Sequence, residues 1–288
     1  MKQIVFISGK GGTGKSTLVA SLSRLVNNKM LADCDVDTPN LHILLEEKLI
    51  EQNKYYGAKE AIIEKDKCVR CGICRRTCLF DAIDEDFNII LFRCEGCGAC
   101  TLICSADAIK LEAVKTGNTF ISETDRGTFS HALLDIGAEG SGKLVTEVRK
   151  NANKYEKGED WLLIDGSPGI GCVVIASITG CDAVVVVTEP TISGLSDMVR
   201  VLGVAKHFGI PGYICINKFD LNIEMSTEIE NFCEKNGYPV IGRIPFEPKI
   251  VEALRQFKTP VEAGLVNITD EIKSIWERLK TDIDKEKV

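Results

Sequence analysis

A short apolar run followed by a glycine-rich turn constrains this chain first. Residues 3–8, QIVFIS, are apolar and rich in β-branched side chains, which suits a buried strand. They lead into Gly9–Thr17, GKGGTGKST, and then into KSTLVASLSRLV, whose apolar residues recur at helical spacing. Strand, glycine loop and helix in that order gather backbone N–H groups and a helix N-terminus around one point, which attracts phosphate. The wording fits G-x-x-x-x-G-K-[ST] in the context this motif requires. Gly9, Lys10, Gly11, Gly12, Thr13, Gly14, Lys15, Ser16 and Thr17 are therefore candidate nucleotide contacts. Lys15 is expected to reach the β- and γ-phosphates and Ser16 to hold Mg²⁺ through its hydroxyl.

Further along, KMLADCD, WLLIDGSPG, AVVVVTEP and GYICINKFD are continuous apolar runs that end in turn residues. Such runs alternating with helical patterns predict a mostly parallel sheet covered by helices on both faces, an α/β fold. GAEGSGKLVTEVRK reads as a loop and helix. The C-terminal segment reads as a helix with Ile268, Ile272, Ile275, Trp276, Leu279 and Ile283 on one face, packed on the core. The net charge of −7 argues against a general nucleic-acid binder, which would show a basic face. No apolar run approaches the length of a membrane span, and KQIVFI is too short for a signal-peptide core. These features predict a cytoplasmic location.

Residues 57–115 break the α/β rhythm. CVRCGICRRTCLFDAI (68–83) and CEGCGACTLICSADAI (94–109) align without gaps at a 26-residue offset. The α/β pattern resumes afterwards, and TGNTFISETDRGTFSHALL is expected to return to the main sheet through one or two strands. The segment is therefore read as an insertion, giving a P-loop domain in two parts, 1–56 and 116–288, around a small α+β domain. Thirteen cysteines in a cytoplasmic chain suit metal ligands better than disulfides. Each half of the repeat is C-x₂-C-x₂-C-x₃-C, the bacterial ferredoxin spacing for two [4Fe–4S] clusters. In that spacing the fourth cysteine of each half serves the other cluster. This predicts Cys68, Cys71, Cys74 and Cys104 for one cluster, and Cys94, Cys97, Cys100 and Cys78 for the other. Zinc is the competing metal, but its sites usually come as paired C-x₂-C knuckles across a longer loop. The proline that commonly follows the fourth cysteine is replaced by Leu79 and Ser105. Gly72, Gly96 and Gly98 suit tight turns, and Arg70, Arg75, Arg76 and Arg93 could offset cluster charge or remain solvated. Cys34, Cys172, Cys181, Cys215 and Cys233 lack a spacing pattern and are read as small core residues, Cys172 being the one to check for exposure. His42, His131 and His207 have no ligand spacing.

Lys10 adds a second lysine early in the glycine loop. K-G-G-x-G-K-[ST] resembles the deviant Walker A loop of the MinD/ParA/nitrogenase-iron-protein superfamily. The resemblance implies a nucleotide-dependent homodimer in which Lys10 crosses to the partner's ATP. ADCDVDTPNLH resembles the superfamily's switch I, which implies that Asp35 orients or activates the attacking water, with Asp33 and Asp37 nearby. LLIDGSPGIG resembles switch II, with Asp165 in the Walker B position near Mg²⁺; its wording departs from the commoner D-T-P-P-G at Gly166 and Ser167. INKFD (216–220) matches the N-K-x-D by which many GTPases read guanine, yet an Asn at this place accompanies adenine in MinD-like proteins. ATP is favoured, with Asn217 as base contact. RIPFEP (243–248), containing Pro245, resembles the loop that covers the base. SGKLVTEVR (141–149) also looks like a family segment. Nearly the whole chain resembles MinD-superfamily P-loop ATPases containing an inserted ferredoxin domain.

That resemblance implies an Mg²⁺-dependent ATPase whose dimer rearrangement times electron delivery to an unidentified redox partner. An Fe–S or metal-cofactor maturation ATPase, delivering to a cofactor-accepting protein, is the alternative. A positioning ATPase on a membrane or chromosome is a third.

Overall fold

β1 (Lys2–Ile7) alternates its side chains between two buried faces, because successive residues of a strand point in opposite directions. Ile4 and Phe6 join one core cluster, while Val5 and Ile7 are equally buried on the other side. A strand apolar on both faces needs cover on both, which is the condition of a parallel sheet inside an α/β layer. The structure, a computed structural model, describes residues 1–90 and 92–285. The chain divides into two compact units. The first comprises Met1–Gln52, Thr119–Leu133 and Gly140–Val288, and the second Asn53–Asn118 and Leu134–Glu139.

In the first unit, β1 is followed by α1 (Lys15–Leu25) and β2 (Lys29–Cys34), and the chain then reaches β3 (Glu47–Tyr55). The second unit holds β4 (Ala58–Ile63), α2 (Ile73–Thr77), α3 (Ala99–Leu102) and β5 (Ile109–Val114). The chain returns through β6 (Gly117–Thr124) and β7 (Gly127–Leu134). It continues with α4 (Gly142–Lys154), β8 (Trp161–Gly166), α5 (Cys172–Ile178), β9 (Ala183–Thr188) and α6 (Ile192–His207). Then come β10 (Gly212–Asn217), α7 (Ile223–Asn236), β11 (Val240–Ile244), α8 (Lys249–Arg255) and α9 (Val266–Lys285). The main sheet has the order β11-β10-β9-β1-β8-β2-β7-β6-β3. β1 pairs in parallel with both β8 and β9, and β2 with β7 and β8. The fold is thus an α/β P-loop fold with a mostly parallel central sheet.

α9 buries the apolar stripe expected of it, all six residues entering the core cluster shared with α1. Trp276 meets Trp161 edge-on, with ring centroids 5.0 Å apart. Positions 286–288 of that segment lie outside the described residues. The C-terminal ends of β1, β2 and β8 lie together, and register sets Asp33 opposite Asp165. Crevices at strand C-termini, where the order reverses, are where such sheets bind ligands.

In the second unit β4 and β5 pair antiparallel, from Ala58↔Val114 to Ile63↔Ile109. Its small core is Ala61, Ile63, Cys74, Ile83, Phe87 and Ile109. The sequence repeat is also a backbone repeat. Gly72 and Gly98 take left-handed φ of 74° and 79°, and Asp81 and Asp107 take 48° and 47°.

Candidate nucleotide site and cysteine pockets

Gly14 ends the glycine loop with φ 90°, and a Cβ there would lie 2.3 Å from Asn217 Nδ2. Glycine therefore serves both the turn and the close approach of β10's end. Residues 11–17 of the loop, without Gly9 or Lys10, line a pocket of about 930 Å³ together with Asp35, Thr38, Asn40 and Pro168. Lys15 starts α1 and is only 5% exposed. Its Nζ lies 2.5 Å from Asp165 Oδ1 and 3.4 Å from both Asp35 Oδ2 and Ser16 Oγ. Burial works against the charged ammonium, but Asp165 and Asp35 outweigh it and hold the Lys15 pKa above its ordinary value. Asp165 is fully buried, and its Oδ2 has no hydrogen-bond partner.

The other acidic residues differ in what they touch. Asp33 accepts from the backbone N–H groups of Asp35 at 3.0 Å and Leu41 at 3.1 Å, so it shapes the turn after β2. Burial, and then the nearby Asp165 charge, push its pKa up to about 8. Asp35 accepts from Thr38 Oγ1 at 3.2 Å. Burial raises its pKa against the pull of Lys15. Asp37 Oδ1 accepts from Gly140 N at 2.8 Å. Behind β8, Ser167 Oγ donates to Cys34 O at 2.7 Å, and Gly169 N to Ser8 O at 2.8 Å. These bonds couple the turn after β8 to β2 and β1.

A second pocket, of about 690 Å³, adjoins the first; Gly12, Gly14, Thr17 and Leu254 line both. Asn217, Lys218, Phe246 and Glu247 form its polar and aromatic edge, while Pro245 is not among its lining residues. Asn217 Nδ2 donates to Thr13 O at 2.7 Å, and its Oδ1 accepts from Lys218 N at 3.0 Å. Lys10 does not line either pocket; it pairs with Glu189.

The cysteines of the second unit line two further pockets. Cys68, Cys71, Cys74 and Cys104 line one of about 360 Å³. Cys78, Cys94, Cys97 and Cys100 line another of about 380 Å³. Each thus takes three thiols from one repeat and the fourth from the other. Three backbone N–H groups donate to sulfur at 3.4 Å: Ala82 to Cys78, Ala108 to Cys104, and Ala61 to Cys94. Among the described residues, no group of three or more His, Cys, Asp or Glu is gathered closely enough to hold a single metal ion. The four thiols of each pocket share one lining without converging on a single ion position.

A model of the CobQ/CobB/MinD/ParA nucleotide binding domain matches residues 4–261. The chain belongs to that family. Uncharacterized protein MJ0578 of Methanocaldococcus jannaschii is 34% identical over 287 residues, covering 96% of each chain. A putative septum site-determining protein MinD of Oltmannsiellopsis viridis is 24% identical over 261 residues, 87% of this chain and 66% of that protein. The septum site-determining protein MinD from Pyrococcus horikoshii, solved with Mg-ADP, superposes with a TM-score of 0.59 at 19% identity, over 96% of this chain and 95% of that one.

In this MinD/ParA-type P-loop domain, several site features escape sequence reading. Glu189 follows β9 and binds both Lys10 and Lys218. Within the RIPFEP loop read as covering the base, Phe246 and Glu247 wall the second pocket, and Pro245, the residue singled out there, does not. Segment 141–149 has a structural role. Ser141 caps α4, and Arg149 donates to Ala176 O at 2.9 Å and Thr179 O at 2.6 Å, holding the end of α5. Of the five scattered cysteines four are buried, but Cys172 is exposed at the start of α5, so it is not a core residue. No described helix is long and apolar enough to cross a membrane.

Proposed function

We propose that the chain is an Mg²⁺-dependent ATPase of the MinD/ParA type whose inserted unit holds two [4Fe–4S] clusters, and that nucleotide-dependent dimerisation governs electron delivery to a partner protein. The carrying observation is the sorting of eight cysteines into two pockets, four to each. Thiols that share a pocket without converging on one ion position suit a cluster several atoms across better than a single zinc ion, whose ligands stand about 2.3 Å away. Peptide N–H groups aimed at Cys78, Cys94 and Cys104 would stabilise thiolate charge. When bound, such clusters supply one-electron transfer.

On the nucleotide side, the residues fit a metal-bound triphosphate. Ser16 and the unpartnered Asp165 Oδ2 would hold Mg²⁺, which neutralises phosphate charge when bound. Lys15 leaves Asp165 to hold the β- and γ-phosphates, and the glycine loop donates its peptide N–H groups. Asp35 accepts a hydrogen bond from the attacking water. Asn217 contacts the base. Lys10 reaches the nucleotide of the second copy, so that the γ-phosphate decides whether the dimer closes.

The test is anaerobic purification, iron and sulfide counts, and electron paramagnetic resonance after reduction, with and without ATP. About eight irons per chain that remain in place, with a signal that responds to ATP, support the proposal. Iron passing to an apo-acceptor when ATP is added supports a maturation ATPase instead. A zinc-loaded, colourless protein refutes the cluster reading. Likeness to MinD septum proteins favours one other reading, a positioning ATPase. ATP-dependent binding to lipid vesicles or DNA by iron-free protein would select it.

A further inference from the structure

Asn217-Lys218-Phe219-Asp220 has the wording of a guanine-reading motif, in which the aspartate accepts from the N1–H and amino groups of the base. The fold splits that motif. Asn217 and Lys218 line the pocket of about 690 Å³, and Asp220 does not. Asp220 Oδ1 instead accepts a hydrogen bond from the backbone N–H of Phe246 at 2.7 Å. Phe246 and the adjacent Glu247 line the same pocket. We propose that Asp220 is a positioning residue for the base: it anchors the loop after β11 that walls the pocket, and so favours adenine over guanine without touching either.

The turn is held away from the pocket by its own contacts. Lys218 takes a left-handed φ of 55°, which starts the 3₁₀ turn Phe219–Leu221. Phe219 O accepts from Ser226 Oγ at 2.7 Å, and the Arg243 guanidinium lies 5.6 Å from the Phe219 ring centroid. Asn222 then caps α7 by accepting from Met225 N at 3.0 Å. The turn therefore has three attachments besides the Asp220–Phe246 bond. Across the pocket, the walls are apolar: Leu18, Ile244, Ile250, Leu254, Ile268 and Ile272. Such walls accept the face of any purine, so selection falls to its edge. Guanine brings two ring-edge donors that Asp220 does not meet, Glu247 at the pocket's edge already accepts from Lys249 N at 3.0 Å, and a desolvated donor without an acceptor costs affinity.

This inference rests on nucleotide binding as proposed above. The experiment compares wild type, Asp220→Asn and Asp220→Ala by titration calorimetry with AMPPNP, GMPPNP and xanthosine triphosphate, and by thermal melting without nucleotide. Asn keeps the oxygen that accepts from Phe246 N, and Ala does not. Wild type is expected to bind AMPPNP at least about tenfold more tightly than GMPPNP. D220N should stay within about twofold of wild type for both and gain no affinity for xanthosine triphosphate. D220A should lose about tenfold for AMPPNP and narrow the adenine-to-guanine ratio, with melting close to that of D220N. A guanine preference in wild type that passes to xanthosine triphosphate in D220N would mean that Asp220 reads the base, and the inference fails. Wild-type AMPPNP affinity and selectivity in D220A would also overturn it. Failure of wild type to bind either analogue would instead remove the nucleotide reading itself, and this inference with it.

Discussion

Lys10 Nζ stands 3.3 Å from Glu189 Oε2 of its own chain, while Lys218 Nζ lies 2.5 Å from Oε1 of the same carboxylate. One acid thus holds two lysines beside the glycine loop. If Lys10 serves the nucleotide of a second copy, it must first leave Glu189. A partly exposed ion pair is worth about 0.5–1 kcal/mol, so the exchange is cheap but measurable. Glu189→Gln should let the dimer form at an ATP concentration about two- to fivefold lower, read by sedimentation velocity. Lys10→Ala should abolish the dimer while the monomer still binds nucleotide. An unaltered ATP requirement in E189Q would show that Glu189 does not restrain Lys10.

Lys15 and Asp165 pose a stability question as well as a catalytic one. Both are buried, and Asp165 retains an oxygen without a partner. Removing one member of a buried ion pair leaves a desolvated charge, typically at a cost of about 3–5 kcal/mol. Lys15→Met should lower stability by about that amount in urea unfolding without nucleotide. The double variant Lys15→Met/Asp165→Asn should recover part of the loss, because the Asp165 charge is gone while Asp35 still lacks its lysine. Equal stability of the single variant and wild type would rule out this buried pairing.

His131 predicts an acid sensitivity. It is 2% exposed and stacks on Phe129, Phe120 and His42, with ring centroids 4.6, 4.9 and 5.7 Å away. Glu47 Oε2 is 3.8 Å from its Nδ1, too far to compensate burial by a hydrogen bond. Burial, and then the neighbouring His42, lower its pKa from 6.5 to about 4. The unfolded chain therefore binds the extra proton first. Stability from the neutral ring is fully present above about pH 6.5 and falls as pH drops toward about 4, by roughly 3 kcal/mol. His131→Phe keeps the stack and cannot titrate. Its midpoint in urea should fall less than that of wild type between pH 7 and pH 4; parallel curves would refute the assignment.

How much of this was legible beforehand depends on burial. QIVFIS, WLLID and AVVVV announce strands because a parallel sheet buries both faces and leaves continuous apolar runs. β3, EKLIEQNKY, gives no such signal, since it lies at the sheet edge and is mostly exposed, with charges that discourage pairing. The pockets group the cysteines as the ferredoxin spacing does, the fourth thiol of each half lining the pocket of the other half. Contacts across space are different. Nothing local to Glu189 names Lys10 as its neighbour. The N-K-x-D wording fixes which residue is acidic at 220, but the turn at Lys218 decides where that carboxylate points.

The two cysteine pockets make the sharpest separation between residues near in sequence. Cys78 is four residues from Cys74, yet it lines the pocket of Cys94, Cys97 and Cys100. A thiol assigned by proximity alone would go to the wrong pocket. If the pockets hold the two proposed clusters, Cys71→Ser and Cys104→Ser should perturb one and the same cluster, and Cys97→Ser and Cys78→Ser the other, each lowering iron from about eight to about four per chain. Paramagnetic resonance of the reduced variants should sort into two spectra by pocket, not by repeat. Pairing Cys71→Ser with Cys104→Ser should leave about four irons, whereas Cys71→Ser with Cys97→Ser should leave almost none. Cys172→Ser, outside both pockets, should keep the full count. Spectra that sort Cys78 with Cys71, or iron that is indifferent to all four substitutions, would separate the pockets from any metal they are said to hold.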